Sequence, residues 1–123
     1  YYAAVSGNNT SISSSPATVT ADGISISTIT VQARDDTNTA YTTGGNSVVL
    51  SENGSAIIST ITDAGNGTYS ATITNTTAEL ITISGTISSI GITDTAAVNF
   101  TPEAASVTTT AASSVIAASA TLG

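Results

Sequence analysis

The stretch Thr62-Asp63-Ala64-Gly65-Asn66-Gly67-Thr68-Tyr69-Ser70-Ala71-Thr72-Ile73-Thr74 decides the fold of this chain. A turn rich in Gly and Asn leads into strict alternation, with Tyr69, Ala71 and Ile73 on one face and hydroxyl side chains on the other. Alternation of this kind after a Gly/Asn turn is typical of a strand with one buried and one solvent-facing side. Asn66-Gly67 suits the turn because both residue types tolerate positive φ. The stretch predicts β-structure.

Six further segments have strand character. Pro16 suits the first residue of a strand, because it has no N–H to donate to the ladder. Asn53-Gly54 predicts a hairpin between its two flanking strands. The predicted strands are residues 17–20, 25–34, 47–52, 56–62, 67–75, 79–89 and 94–102. Seven strands within about 90 residues predict an all-β, immunoglobulin-like antiparallel β-sandwich, with a single barrel as the alternative.

The alternation also predicts the core. No Trp, Met or Cys is present, so Ile, Val, Leu and Ala must fill most of the interior. Five side chains are expected to point inward from opposite sheets: Ile29, Val31, Tyr69, Ile83 and Phe100. A register slip of one residue would turn all of them outward.

The predicted sandwich occupies residues 16–102, between an N-terminal arm at 1–15 and a C-terminal arm at 103–123. Each arm has an apolar face that its own domain does not need, which predicts contact with other copies of the domain. Either the chain continues into a tandem repeat, or an arm is donated to the open sheet edge of a neighbour. Ala104-Ala105-Ser106 resembles Ala3-Ala4-Val5-Ser6, and Ile116-Ala117-Ala118-Ser119-Ala120-Thr121-Leu122 resembles the segment from Ile12 to Val19, as a tandem array would require. The predicted assembly residues are Tyr1, Tyr2, Val5, Val107, Val115, Ile116 and Leu122.

Charge and composition exclude several functions. The 123 residues carry eight acidic side chains against a single cation, Arg34, for a net charge of −7. Such a chain cannot neutralise a phosphate backbone or hold anionic lipid, so neither nucleic acid nor a charged membrane surface is an expected partner. No apolar run approaches the ~20 residues of a membrane span, so this segment is not expected to insert into a membrane. With no His, Cys or Lys, the usual general bases and activated nucleophiles are missing, and no enzyme activity is expected.

Two motifs carry a family resemblance. Residues 15–23, Ser-Pro-Ala-Thr-Val-Thr-Ala-Asp-Gly, and the opening stretch are similar to the bacterial immunoglobulin-like (Big-1 type) repeats of invasin- and intimin-type surface adhesins, which are themselves similar to filamin repeats. The resemblance covers about residues 11–102. It implies an extracellular, cell-surface structural module without chemistry of its own. The absence of Lys and the long C-terminal arm depart from the family pattern.

Acidic and amide side chains in the predicted turns give the candidate binding sites. Asp35, Asp36 and Asp63 are weak candidates for Ca²⁺, which prefers hard oxygen ligands, but turn hydrogen bonding explains the same residues and no cofactor is expected. Asn53, Asn66 and Asn75 begin N-x-S/T triplets at predicted turns, where a glycosyl transferase could reach them.

Two functions follow from the sequence. The favoured one is a structural building block of an adhesin stalk or polymeric filament. The alternative is a domain that binds carbohydrate or host protein through its own loops, for which Tyr41 is the one aromatic residue expected to be exposed outside the termini.

Overall fold

The structure, a computed structural model, describes residues 4–103. These residues form ten strands and no helix, so no helix that could cross a membrane is present among them. The strands are β1 (Ser11–Ser15), β2 (Thr18–Thr20), β3 (Ser27–Gln32), β4 (Val48–Glu52), β5 (Ile57–Ile58), β6 (Thr62–Asp63), β7 (Thr68–Thr74), β8 (Glu79–Ile87), β9 (Ile90–Gly91) and β10 (Ala96–Thr101).

Two five-stranded sheets pack face to face. Sheet I has the order β1-β3-β7-β5, with β6 also pairing with β7. Sheet II has the order β2-β10-β8-β4, with β9 pairing with β8. All pairings are antiparallel except that of β2 with β10, which is parallel. The predicted immunoglobulin-like sandwich is confirmed.

The core lies between the sheets, where the alternation predicted it. In sheet I, Tyr69 on β7 is 1% exposed and stands opposite Val31 on β3, which is fully buried. In sheet II, Ile83 on β8 is fully buried and Phe100 on β10 is 1% exposed. Because Ile29 is buried as well, all five predicted core residues face inward and the predicted register is confirmed.

The segment Ser11–Ser15, expected within the N-terminal arm, is instead the edge strand β1 of sheet I. It pairs with β3 over five residues, and Ile12 is buried beneath that pairing. Thr10, just before the strand, is 1% exposed. The Ser-rich sequence hides this strand because a single apolar residue gives almost no alternation to detect. Of the predicted arm positions, Tyr1 and Tyr2 lie outside the described residues, as does the whole of 104–123.

Asn53-Gly54 does not close a hairpin. Strand β4 pairs with β8 in sheet II, whereas β5 pairs with β7 in sheet I, so this link crosses between the sheets. Carboxylates satisfy its backbone amides in place of a hairpin ladder: Glu52 Oε1 accepts from the N–H groups of Gly54 (2.7 Å) and Ala56 (3.2 Å). The expected hairpin is therefore corrected to a crossover.

Two smaller differences concern strand lengths. The strand expected over residues 56–62 is two short strands, β5 and β6, both against β7. The strand expected to end at residue 89 ends at Ile87 and turns back through Ser88 and Ser89 into β9. Both serines have positive φ, 50° and 68°, which non-glycine residues seldom adopt. Without Gly or Asn in the turn, the sequence gives no hairpin signal there.

The two ends of the described chain lie at opposite poles of the sandwich. The chain begins near β1, passes down into β2, and ends with β10, which runs parallel to β2. At the N-terminal pole, Ser6 N–H donates to the carbonyl of Arg34 (2.8 Å) and Thr93 N–H donates to that of Gly7 (3.0 Å). At the C-terminal pole, Ala21 N–H donates to the carbonyl of Thr101 (2.8 Å). The domain is therefore entered at one end and left at the other.

Candidate functional site

The N-terminal pole is built around the first described residues. Val5 is half-buried and forms an isolated β-bridge with Asp35, and the N–H of Asp36 donates to the carbonyl of Ala4 (3.2 Å). Of the seven predicted assembly residues, Val5 is the one that the structure describes, and its contact with another copy stays a prediction. A shallow pocket of about 260 Å³ opens at this pole, lined by Ala4, Val5, Ser6, Gly7, Asn8, Asp36, Ile90 and Gly91.

Asp35, a candidate Ca²⁺ ligand, organises a turn at this pole. It is 4% exposed, and its Oδ1 accepts hydrogen bonds from Thr37 N–H (2.9 Å), Thr37 Oγ1 (2.7 Å) and Thr39 N–H (2.9 Å). A carboxylate that caps two backbone amides of one turn in this way fixes a loop without a metal. The adjacent Asp36 is exposed.

Asp63, the other candidate ligand, bridges two loops. Its Oδ1 accepts from Gly65 N–H and its Oδ2 from Gly45 N–H, both at 2.8 Å. The Asp63 side chain therefore ties the loop around Gly45 to the turn that starts β7. Residues 4–103 contain no group of three or more His, Cys, Asp or Glu side chains that could hold a metal ion.

The C-terminal pole carries a second carboxylate-capped turn. Asp22 Oδ1 accepts from the N–H groups of Ser25 (2.7 Å) and Ile24 (2.8 Å), and its Oδ2 accepts from Ser25 Oγ (2.8 Å). The Ser25 N–H, then the Ile24 N–H, lower the pKa of Asp22, because these bonds favour the charged carboxylate. Ile24 and Ile26 beside this turn are exposed.

The exposure of Ile24 and Ile26 was not anticipated. Ile26 lies on the strand predicted over residues 25–34 and Ile24 just before it, whereas Ile29, Val31 and Ala33 on that strand face the core. Side chains alternate across a strand, so even-numbered apolar residues in this segment must face away from odd-numbered ones. The even numbering of Ile24 and Ile26, against the odd numbering of the core residues, could have predicted their exposure.

Glu79 links two loops at the same pole. Its Oε2 accepts from Asn75 Nδ2 (2.9 Å) and from Ser55 N–H (2.7 Å). The Asn75 side-chain bond, followed by the Ser55 backbone bond, lowers the pKa of Glu79. Asn75 is only 2% exposed, so the folded domain does not present its amide nitrogen to a transferase, contrary to expectation.

The other two predicted glycosylation residues are exposed. Asn53 Oδ1 accepts from Thr82 N–H (2.9 Å), and Asn66 Oδ1 accepts from Thr68 N–H (3.1 Å) and Thr68 Oγ1 (2.7 Å). Both side chains thus have a role in shaping turns through their carbonyl oxygens. Modification of their nitrogens stays a prediction.

Aromatic side chains give no stacking platform in the described part of the chain. Tyr69 and Phe100 are buried in the core. Tyr41, expected to be exposed, is half-buried and packs against the core, and its N–H donates to the carbonyl of Ala33 (2.9 Å). The Asp35–Thr39 turn and the Asp63–Gly45 hydrogen bond hold the two ends of the loop that contains Tyr41, and Tyr41 packs against the core.

The sequence profile of invasin domain 3 matches residues 6–103. The chain belongs to the invasin domain 3 family. The profile begins just before β1 and so includes the strand that the sequence analysis placed in an arm. A comparison with curated proteins gave no match.

Solved structures of adhesins share the fold. The crystal structure of invasin, described as a bacterial integrin-binding protein, is 26% identical, with a TM-score of 0.74 over 82% of this chain and 20% of that one. The Escherichia coli adhesin FdeC is 25% identical, with a TM-score of 0.70 over 84% of this chain and 34% of that one. The Yersinia pseudotuberculosis adhesin InvE is 21% identical, with a TM-score of 0.72 over 82% of this chain and 28% of that one. This chain therefore spans between about a fifth and about a third of each of these proteins.

Proposed function

We propose that this domain is a non-catalytic spacer of an extracellular, cell-surface adhesin, one link in an end-to-end array of similar domains. One observation carries the proposal: the chain enters the sandwich at one pole, through Val5, and leaves it at the other, beyond Thr101. A domain with this arrangement adds its own length to any chain that continues on both sides. Membership of the invasin domain 3 family supports the same role.

The arms supply the links of the array. Tyr1 and Tyr2 contact the preceding domain, and Val107, Val115, Ile116 and Leu122 belong to the following one or pair with its open sheet edge. Removal of residues 104–123 should leave a folded monomer or a protein that aggregates through the uncovered edge. If the truncated and the complete chain sediment as the same monomer, the arm takes no part in assembly between separate chains.

The spacer role can be tested by measuring how far the surface protein extends from the cell. An epitope tag placed on the distal side of the domain in the surface protein should lie closer to the cell envelope by about 30 Å, the length of a nine-residue strand such as β8, when residues 4–103 are removed. Replacement by an unrelated sandwich of equal length should restore the distance. An unchanged distance after removal would contradict the proposal.

Binding of carbohydrate or host protein through the loops is the alternative to the spacer function. The 123-residue chain should show no saturable binding on an array of glycans, because the described aromatic residues lie in or against the core and provide no exposed stacking face. Saturable binding that is lost on substitution of the loop at residues 36–46 would favour the adhesive alternative.

A further inference from the structure

The parallel pair formed by β2 and β10 joins the first strand of sheet II to the last strand of the described chain. The paired residues are Thr18 with Asn99, Val19 with Phe100 and Thr20 with Thr101. Backbone hydrogen bonds extend the pair at both ends: the N–H of Asn99 donates to the carbonyl of Ala17 (2.7 Å), and that of Ala21 donates to the carbonyl of Thr101 (2.8 Å). The two strands are therefore bonded from residue 17 to residue 21.

Tension along the domain reaches this pair at its two opposite ends. A pull on the N-terminal side arrives through β1 at Thr18, where β2 begins, and a pull on the C-terminal side arrives at Thr101, where β10 ends. Because the strands are parallel, Thr18 and Thr101 lie at opposite ends of the paired segment. The pull therefore slides one strand along the other, and all the bonds between them carry the load together. If the two strands were antiparallel, the same pull would peel them apart one bond at a time.

The side chains beneath the pair keep water away from its inner face. Val19 and Phe100 stand opposite each other in the register, and both are buried in the core. A hydrogen bond next to an apolar core is electrostatically stronger than one in water. Sliding β2 along β10 would also pull Val19 out of its packing, so the bonds and the core resist the same movement.

Strand β1 protects the pair from the N-terminal side. It pairs with β3 over five residues, and the Ile12 N–H donates to Asp94 Oδ2 (3.0 Å), which precedes β10 in the other sheet. Where β1 passes into β2, the carbonyl of Pro16 accepts a hydrogen bond of 2.6 Å from Ser27 Oγ, a fully buried side chain. The link between β1 and β2 is thus held to the core, which keeps β2 aligned with β10 when tension arrives.

We propose that β2 and β10 form a mechanical clamp, through which the domain carries tension from pole to pole without unfolding. The proposal rests on the spacer function, since a spacer in a surface protein bears the load whenever the distal end is held and the cell is pulled away. It adds resistance to force as a second property of the same domain. This resistance depends on direction, because only a pull along the strands loads all the bonds of the pair at once.

Single-molecule force spectroscopy on the 123-residue chain tests the clamp by pulling in two directions, through cysteine pairs introduced into a chain that has none. Ala4→Cys with Glu103→Cys loads the domain from pole to pole, and both residues are exposed. Ile24→Cys with Glu103→Cys pulls at one pole only and peels β2 from β10, starting at the bond between Ala21 and Thr101. Forced unfolding is governed by the rate of unfolding, so the pole-to-pole pair should unfold at a severalfold higher force. Equal forces in the two directions would overturn the clamp.

Two matched proline variants locate the resistance, because proline removes one backbone N–H and neither Ala21 nor Ala64 has positive φ. Ala21→Pro removes the bond to Thr101, whereas Ala64→Pro removes a bond to the carbonyl of Thr68 (3.1 Å) outside the pair. Pulled from pole to pole, Ala21→Pro should unfold at a lower force than the wild type and Ala64→Pro at an unchanged one. Equal forces for the two variants would contradict the proposal.

The two-direction measurement uses the native β2–β10 pair, so it decides the proposal even if Ala21→Pro does not fold. Failure of the clamp and failure of the spacer function are distinguishable. If the forces are equal but removal of residues 4–103 shortens the reach of the surface protein, the clamp is wrong and the spacer function stands. If removal leaves the reach unchanged, the spacer function is wrong whatever force the domain resists.

Discussion

The backbone N–H of Asn46 donates a hydrogen bond of 2.9 Å to the hydroxyl of Tyr69, a side chain 1% exposed in the core. This bond joins the end of the long loop after Asp35 to the beginning of strand β7. It uses the one polar atom that a buried tyrosine adds to a phenylalanine. The bond therefore couples loop geometry to core packing.

Tyr69→Phe should remove the hydrogen bond and keep the packing. We expect a loss of about 1–2 kcal/mol in the free energy of unfolding, because the Asn46 N–H is left without its acceptor. Urea denaturation at neutral pH measures the change. An unchanged midpoint would show that water replaces the hydroxyl at no cost.

Phe100→Ala should be the more damaging core substitution. Phe100 is fully enclosed on β10, and a truncation of this kind costs about 3–5 kcal/mol. Leu80→Ala is the control, because Leu80 lies on the neighbouring strand β8 and is 64% exposed, so its loss should stay within about 0.5 kcal/mol. Equal losses in the two variants would contradict the assignment of inner and outer faces.

Two glycines of the opening motif separate backbone strain from steric overlap. Gly65 and Gly67 both have positive φ, 81° and 96°. A Cβ on Gly65 meets nothing within 4 Å, whereas one on Gly67 would overlap the carbonyl of Tyr41. Gly65→Ala should therefore cost about 1–2 kcal/mol from strain alone. Gly67→Ala should cost about 1–3 kcal/mol more from the overlap. Thermal unfolding of both variants checks the order, and a reversal would rule out this loop packing.

Acid should weaken the Glu79 contacts at the C-terminal pole. Because hydrogen bonds lower the pKa of Glu79 in the folded state, its contribution to stability is complete above the unfolded pKa and is lost as pH falls through the folded one. Glu79→Gln should therefore lower the melting temperature at pH 7, and its effect should shrink as the pH falls through the lowered folded-state pKa of Glu79 and the wild-type carboxyl becomes protonated. Asp22→Asn should behave alike, for the same reason. A difference that does not change with pH would show that the charge is irrelevant.

Chelation should leave stability unchanged. The candidate ligands Asp35 and Asp63 already accept hydrogen bonds from neighbouring backbone amides. Unfolding with and without a chelator, and after addition of millimolar Ca²⁺, measures any bound metal, because a ligand that binds the folded state raises the melting temperature. A rise of several degrees with Ca²⁺ that Asp63→Asn abolishes would establish a site.

Alternation in the sequence predicted the sheets well wherever apolar residues mark every second position. Residues 67–75 and 94–102 contain β7 and β10 with the predicted faces inward. It missed β1, in which Ile12 is the one apolar residue, and β9, which follows a turn made of two serines. Local composition carries no information about a strand whose stability comes from its partner in the sheet.

The candidate sites were harder to predict because they depend on contacts between distant segments. Asn53-Gly54 has hairpin chemistry, yet Glu52 and Glu79 satisfy its amides and let the chain cross to the other sheet. Asn75 looked accessible in sequence but is buried against Glu79. A local sequence pattern cannot predict a hydrogen bond between a carboxylate such as Glu79 and a distant loop residue such as Ser55.

Small-angle X-ray scattering of a two-copy chain, residues 1–103 followed directly by residues 4–123, tests the central claim most directly. With the chain entering and leaving at opposite poles, the second copy should increase the maximum dimension over that of the 123-residue chain by about 30–40 Å, roughly the length of one sandwich. An increase of less than about 10 Å would mean that the copies fold side by side, and would contradict the account of this domain as a spacer.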